Sequence, residues 1–204
     1  MNGWEIVRHQ VAIAGAVTNA QTGKVIAGAR VRITDAPAPF KEEMAARAIL
    51  FGTGWETLAE RPDQAPTSPE GLFYFLDLPD GQYTLTASLP ESGSRFGRAQ
   101  VQAKVSRGGQ GRIIMAQADL ALPATTIRGQ ITGTANTPVP LARVQVRGSV
   151  EAVFSNGQGC YLLAGVEKGT RTVLVSAQGY RPAQKTVSLS EAGKEENLDF
   201  SLNP

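Results

Sequence analysis

The chain contains two copies of one sequence pattern, and this internal repeat constrains the fold more than any single residue does. Gly71 and Gly81 lie 10 positions apart in the first copy, and Gly159 and Gly169 lie 10 positions apart in the second. The matching landmarks are Gly15, 29–33, 71–75 and 81–85 in the first copy, and Gly129, 142–146, 159–163 and 169–173 in the second. These positions hold turn glycines and core side chains, so the repeat itself carries no reactive chemistry.

Short segments with alternating polarity fill both copies. Ala29, Val31 and Ile33 alternate with Arg30 and Arg32, which is the period of two expected of a β-strand with one buried face. The 22 glycines and 12 prolines suit a chain with many turns. The sequence therefore predicts an all-β protein of two tandem antiparallel β-sandwiches, with an N-terminal tail at 1–10, a first sandwich at 11–122 and a second at 125–204.

An insert distinguishes the first copy from the second. Ile33 and Gly71 are 38 positions apart, whereas Val146 and Gly159 are 13 apart, so the first copy has about 25 more residues. We expect this insert at about 36–66, with a helix at 40–51. Its apolar side chains at helical spacing are Phe40, Met44, Ala48 and Phe51. This stripe either covers the outer face of the apolar segment 72–76 or binds a partner protein.

The repeated landmarks resemble the carboxypeptidase regulatory-like domain. The first copy matches at Thr67, Gly71, Phe73, Phe75, Pro79, Gly81 and Tyr83, and the second at Ser155, Gly159, Tyr161, Leu163, Gly169, Val173 and Tyr180. One departure is Arg171, which stands where the pattern has tyrosine. The resemblance implies two Ig-like, transthyretin-like β-sandwiches. It also implies no catalysis, since this domain accompanies peptidases and does not hydrolyse peptides itself.

The side chains that catalysis or metal binding would need are scarce. His9 is the one histidine, whereas a catalytic zinc site takes three protein ligands, and a serine or cysteine triad needs a base. Cys160 is the one cysteine, so no internal disulfide forms, and its strand position predicts a buried, inert thiol. We expect no enzyme activity, no cofactor and no metal site.

Charge and hydropathy narrow the class of partner. The 20 basic and 18 acidic residues are nearly balanced, which argues against nucleic-acid binding. The basic run from Arg95 to Arg112 is expected to lie on the outer faces of a hairpin. No apolar stretch approaches a membrane span, so we expect no membrane insertion. The first residues lack the features of a signal peptide, which predicts a cytoplasmic protein, or an extracellular one if a leader was removed.

These features predict a non-enzymatic structural or adaptor subunit that binds other proteins. Leaderless copies of this domain resemble accessory subunits of phage-tail-like contractile injection systems, which is the expected setting. The candidate partner-binding residues are Trp4, Phe40, Met44, Phe51 and Trp55. One alternative is an extracellular adhesin or carbohydrate-binding module with Trp4 and Trp55 exposed as a stacking platform. Another is an accessory domain that regulates a peptidase in trans.

Overall fold

The structure, a computed structural model, describes residues 9–58, 60–149 and 152–204 and forms two compact units. The first unit comprises Met1–Pro90 and Ala99–Leu122, and the second comprises Glu91–Arg98 and Pro123–Pro204. Trp4 and most of the predicted N-terminal tail lie outside the described residues. No helix among the described residues is long and apolar enough to cross a membrane.

Two β-sheets and one α-helix build the described part of the first unit. The helix α1 occupies Ala38–Phe51 and continues into a 3-10 helix at Gly52–Thr57. The strands are β1 Val11–Asn19, β2 Arg30–Asp35, β3 Gln64–Pro66, β4 Leu72–Leu76, β5 Gly81–Ser88, β6 Ala99–Arg107, β7 Ile113–Ile114, β8 Ala116–Gln117 and β9 Leu120–Leu122. One sheet has the order β4-β1-β8, with β9 also paired to β1, and the other has the order β3-β2-β5-β6-β7.

The second unit repeats this plan without the helix. Its strands are β10 Thr126–Thr132, β11 Arg143–Val146, β12 Ala152–Phe154, β13 Cys160–Ala164, β14 Gly169–Ser176, β15 Ala183–Leu189, β16 Glu195–Asn197 and β17 Phe200–Ser201. One sheet has the order β13-β10-β16, with β17 also paired to β10, and the other has the order β12-β11-β14-β15. The predicted fold class, tandem β-sandwiches with one short helical insert in the first, is confirmed.

Hydrogen bonds show how closely the two units correspond. The Thr67 hydroxyl accepts a bond from the Ala29 amide and donates one to the Ile26 carbonyl. The Ser155 hydroxyl makes the same two bonds, accepting from Ala142 and donating to Val139. Each hydroxyl sits under 10% exposed, where an unpaired polar atom would be costly. Both copies therefore have a hydroxyl side chain at this position because it pairs with one buried amide and one buried carbonyl of the backbone.

The strands are not all antiparallel, which corrects the sequence prediction. β1 runs parallel to both β8 and β9, and β10 runs parallel to both β16 and β17. In each unit the last strands lie beside the first strand of the same sheet. The alternating side-chain pattern used in the prediction has the same period in parallel and antiparallel strands, so it does not distinguish them.

Residues 91–98 belong to the second unit, although the sequence prediction placed them in the first domain. The Gly97 amide donates to the Pro123 carbonyl over 2.8 Å, and the Thr125 amide donates to the Arg95 carbonyl over 2.8 Å. The Thr125 hydroxyl donates to the Ser94 carbonyl, also over 2.8 Å. These backbone contacts explain why the chain leaves the first unit after β5 and returns to it at β6.

The structure excludes one of the two alternatives for the helical stripe and corrects the prediction for Cys160. The outer face of β4 is not covered, since Leu72, Tyr74 and Leu76 are exposed while Phe73 and Phe75 point into the core. Cys160 is also exposed. The alternation in β13 places Tyr161 inward, and therefore its neighbour Cys160 points outward.

Two buried tyrosines make the fold sensitive to high pH. Burial raises the pKa of Tyr83 to about 12 and raises the pKa of Tyr161 as well. A pKa that is higher in the folded state means a stabilising contribution that is present below the unfolded value, near 10, and lost as the pH rises towards the folded value. We expect stability to fall between about pH 10 and 12, by up to about 1.4 kcal/mol per pH unit for each tyrosine.

A Tyr83→Phe variant separates this effect from general alkaline denaturation. It loses the 2.8 Å hydrogen bond from the Tyr83 hydroxyl to the Pro79 carbonyl, which costs about 1 kcal/mol at neutral pH. Its stability should fall less steeply than that of the parent above pH 10. Urea unfolding of the first unit, followed by Trp55 fluorescence at several pH values, measures both slopes. Parallel slopes for parent and variant would contradict the assignment to Tyr83.

Candidate functional site

The helical insert carries the candidate functional site of the first unit. Pro37 and Pro39 begin α1, where a missing amide proton costs nothing, and Gly52 ends it with a φ of 52° and an amide bonded to the Ala48 carbonyl. Phe40 is buried and packs edge-on against Tyr83, with ring centroids 5.9 Å apart. Met44 and Ala48 are half-buried along the same stripe. The predicted stripe therefore holds the helix against its own unit.

The opposite side of α1 is also apolar. We call Ala45, Ala46, Ile49 and Leu50 the outer helix face. Ile49 is 83% exposed and Leu50 is 79% exposed. Apart from Lys41, Glu42, Glu43 and Arg47, every residue of the helix is apolar. Helices that are apolar on all sides are normally buried, so the exposure of this face is unusual for a helix of this composition.

A cluster around Trp55 supports the end of the helix. Trp55 is 8% exposed, with the Phe51 ring stacked at 6.3 Å and the Arg61 guanidinium 4.4 Å from its ring centre. The Arg61 side chain is itself only 4% exposed. It donates two parallel hydrogen bonds to Asp63, over 2.8 and 2.7 Å, and a third to Glu56 over 2.9 Å. These bonds fix the segment that follows the helix, because each donor of the guanidinium fork has a set direction.

The structure assigns different positions to the residues predicted to bind a partner. Phe40 and Trp55 are buried, so they support the insert and offer little contact surface; this revises their predicted role. Met44 is half-buried, Phe51 is 46% exposed, and Trp4 lies outside the described residues. Ile49 and Leu50 are the apolar residues that sequence reasoning missed. Their spacing of three or four from Ala45 and Ala46 is the signal that would have found them.

The burial of Trp55 also bears on the carbohydrate-binding alternative. That alternative expects Trp55 to present a flat ring face to solvent. Arg61 and Phe51 occupy the surroundings of the ring. In the described part of the chain, Trp55 therefore cannot serve as a sugar-stacking platform.

Metal-ligating side chains do not cluster among the described residues of either unit. No group of three or more histidine, cysteine, aspartate or glutamate side chains is placed to hold a metal ion in that part of the chain. His9 pairs with Asp77 at the surface, and the hydrogen bond from His9 lowers the pKa of the Asp77 carboxyl. Cys160 lies on an exposed strand face.

Solved structures that are similar to the chain include two bacterial pilins. The shaft pilin SpaA from Lactobacillus rhamnosus GG is 10% identical, with 97% of each chain covered and a TM-score of 0.46. GBS52, the minor pilin of Streptococcus agalactiae, is 13% identical, with 97% of this chain and 96% of that chain covered and a TM-score of 0.33. The Bacillus anthracis TIE protein is 13% identical with a TM-score of 0.37; the match covers 95% of this chain and 34% of that protein.

The family comparison concerns the second unit. No curated protein matches the chain. Residues 126–203 match the family model of the carboxypeptidase regulatory-like domain, which confirms the resemblance for this part of the sequence. The matched range begins at β10 and runs past β17. The similarity to this family is therefore shown for the second unit and covers less than half of the chain.

Proposed function

We propose that this chain is a non-enzymatic structural or adaptor subunit that binds another protein through the outer helix face. The observation that carries the proposal is the exposure of Ile49 and Leu50, at 83% and 79%, on a helix whose other side is already packed. The exposed Ile49 and Leu50 side chains do not contribute to the packing of the first unit, because Phe40 already attaches the helix to it through Tyr83. Contact with a second protein would remove this apolar surface from water.

The surroundings of the outer helix face indicate what the partner offers. Arg47 is paired with Glu43 over 2.8 Å, and Lys41 with Asp35 over 2.7 Å. Glu42 carries the remaining charge beside the outer helix face. It lies one helical turn before Ala46 and two turns before Ile49. A partner surface with an apolar centre and a basic rim complements this arrangement.

The fixed support under the helix favours protein binding. Trp55 and Arg61 hold the C-terminal end of α1 in one position, so little conformational entropy is lost when a partner binds. The setting that we propose is a larger assembly of the kind found in phage-tail-like contractile injection systems. Direct binding to a purified sheath, tube, cap or baseplate component tests that setting.

A double variant tests the site. Ile49→Lys with Leu50→Lys places two charges at the centre of the proposed interface, and we expect at least about a tenfold loss of partner affinity. The variant should fold normally because both side chains are exposed. Co-purification of a tagged chain from its native cells, followed by titration of the recovered partner, measures the effect.

The matched control is Ile114→Lys, which adds a charge at an exposed isoleucine on β7 of the same unit. It should leave partner affinity within about twofold. A parent protein that recovers no partner, or a double variant that binds as well as the control, would contradict the proposed site.

A further inference from the structure

A cleft of about 350 Å³ opens on the second unit, and its lining combines arginines with an apolar floor. Arg95, Arg147 and Arg171 surround it, and Val146, Leu163 and Val166 lie at its base. Among the described lining residues Glu167 is the one carboxylate; it lies 3.5 Å from Arg95 and 3.6 Å from Arg171. The described lining is therefore cationic overall. We call this site the Arg147 cleft.

The internal repeat shows what occupies the equivalent position in the first unit. Ile33 pairs with Leu85 across β2 and β5, and Val146 pairs with Val173 across β11 and β14. Leu85 and Val173 are therefore equivalent, and so are the residues two positions before them, Tyr83 and Arg171. The insert fills this position in the first unit, because Phe40 packs on Tyr83.

A second contact places the start of the insert at the same position. A Cβ atom on Gly81 would lie 2.2 Å from Cγ of Pro37, so the insert covers this glycine closely. Gly169, its counterpart, has nothing nearer than the Arg171 side chain, at 4.0 Å. The Arg147 cleft is thus the space that α1 occupies in the first unit.

Arg171 keeps the turn that tyrosine holds in the first unit. The Tyr83 hydroxyl donates to the carbonyl of Pro79, four residues earlier, and Arg171 Nε donates to the carbonyl of Glu167, also four residues earlier. The substitution of arginine for tyrosine therefore preserves the turn while replacing a buried ring with a cationic, partly exposed side chain.

The charged side chains beside the two positions differ. In the first unit the strand contributes the acid and the helix the base, since Asp35 of β2 pairs with Lys41 of α1 over 2.7 Å. In the second unit Gly148 stands at the position of Asp35, and Arg147, the counterpart of Thr34, follows β11 directly. Arg147 makes no ion pair with any residue in the described ranges. A helix that fits here should bring acidic side chains.

We propose that the Arg147 cleft binds a helical segment of a partner protein whose first turn presents an aromatic side chain followed by carboxylates. The aromatic ring lies on Val146, Leu163 and Val166, as Phe40 lies against the first unit, and the carboxylates pair with Arg147 and Arg171. This interaction is separate from the outer helix face. It deepens the proposed function by naming the chemistry of a second partner contact.

A synthetic peptide of residues 35–52 with the change Lys41→Glu serves as the probe. It carries the aromatic residue that fits the equivalent position and replaces the one basic residue of the first turn with an acid. We expect saturable binding to the full chain by fluorescence anisotropy. Changing Phe40 to Ser in this peptide should weaken binding at least about tenfold. Restoring Lys41 should weaken it at least about fivefold.

Two variants of the full chain locate the binding. Arg147→Glu reverses an exposed charge, and Arg171→Tyr introduces the ring that the first unit has at this position; each should lower affinity for the probe at least about tenfold. Arg143→Glu, which alters an exposed arginine of β11 outside the cleft lining, should remain within about twofold.

Absence of saturable binding up to about 1 mM peptide, or equal affinity for the parent and Arg147→Glu proteins, would overturn the proposal. The Ile49→Lys, Leu50→Lys protein should bind the probe as the parent does. The two proposals can therefore fail independently.

Discussion

Replacing Arg61 with alanine is expected to lower the free energy of unfolding of the first unit by about 3–5 kcal/mol. The Arg61 side chain is 4% exposed, and Asp63, which accepts two of its hydrogen bonds, is 14% exposed. The variant leaves the Asp63 carboxylate without its cation and removes the guanidinium from the face of Trp55. Urea unfolding followed by Trp55 fluorescence measures the loss.

The matched control for this variant is Arg47→Ala, which removes another arginine–carboxylate pair from the same insert. Arg47 and Glu43 are about half exposed and stand one helical turn apart, so the control should cost no more than about 0.5 kcal/mol. Arg61→Lys keeps the charge but not the two parallel hydrogen bonds, and should fall between the two. Equal losses for Arg61→Ala and Arg47→Ala would show that the Trp55 cluster does not support the insert.

Replacing Gly159 with alanine should destabilise the second unit by about 2–5 kcal/mol. Gly159 has a φ of 73°, and a Cβ atom there would lie 2.4 Å from the Ile131 carbonyl oxygen. That oxygen accepts the Val139 amide, so it cannot move without breaking a backbone hydrogen bond. The left-handed conformation costs an alanine about 1–2 kcal/mol, and overpacking adds about 1–3 kcal/mol.

Gly157→Ala is the control for Gly159, because a Cβ atom there meets nothing within 4 Å. It should change stability by less than about 0.5 kcal/mol. Gly71, the counterpart of Gly159, has a φ of 75° and only 2.9 Å to the Val25 Cβ, so Gly71→Ala should destabilise the first unit in the same way. Circular dichroism during thermal unfolding measures all three variants. A Gly159→Ala protein as stable as its control would contradict the structural reason for the repeat.

Residues at turns and in the core made the fold predictable from the sequence. Gly71 and Gly159 adopt conformations that favour glycine, and Thr67 and Ser155 satisfy the same buried backbone groups. Such positions accept few residue types, and for this reason they stay recognisable in both copies. The parallel pairing of β1 with β9 left no such mark, because strand direction does not alter which side chains are buried.

Exposure was harder to predict than strand position. Helical spacing identified Phe40 and Met44 as one face of α1, but it did not reveal that the opposite face, with Ile49 and Leu50, is also apolar and exposed. Cys160 was predicted to be buried from its position in a strand, whereas the alternation of β13 places Tyr161 inward and Cys160 outward. Arg171 was visible in the sequence as a departure from the repeat. The cleft beside it could not be predicted, because it is recognised only by comparison with the insert that packs on Tyr83 in the first unit.

The most direct test of the central claim is site-specific photo-crosslinking in cells that produce the chain naturally. A photo-reactive phenylalanine replaces Ile49 in one protein and Ile114 in another, and the products are identified by mass spectrometry. If the outer helix face binds a partner, position 49 gives one discrete adduct with another protein, and position 114 does not. An absence of adducts at position 49, or the same products from both positions, would contradict the claim.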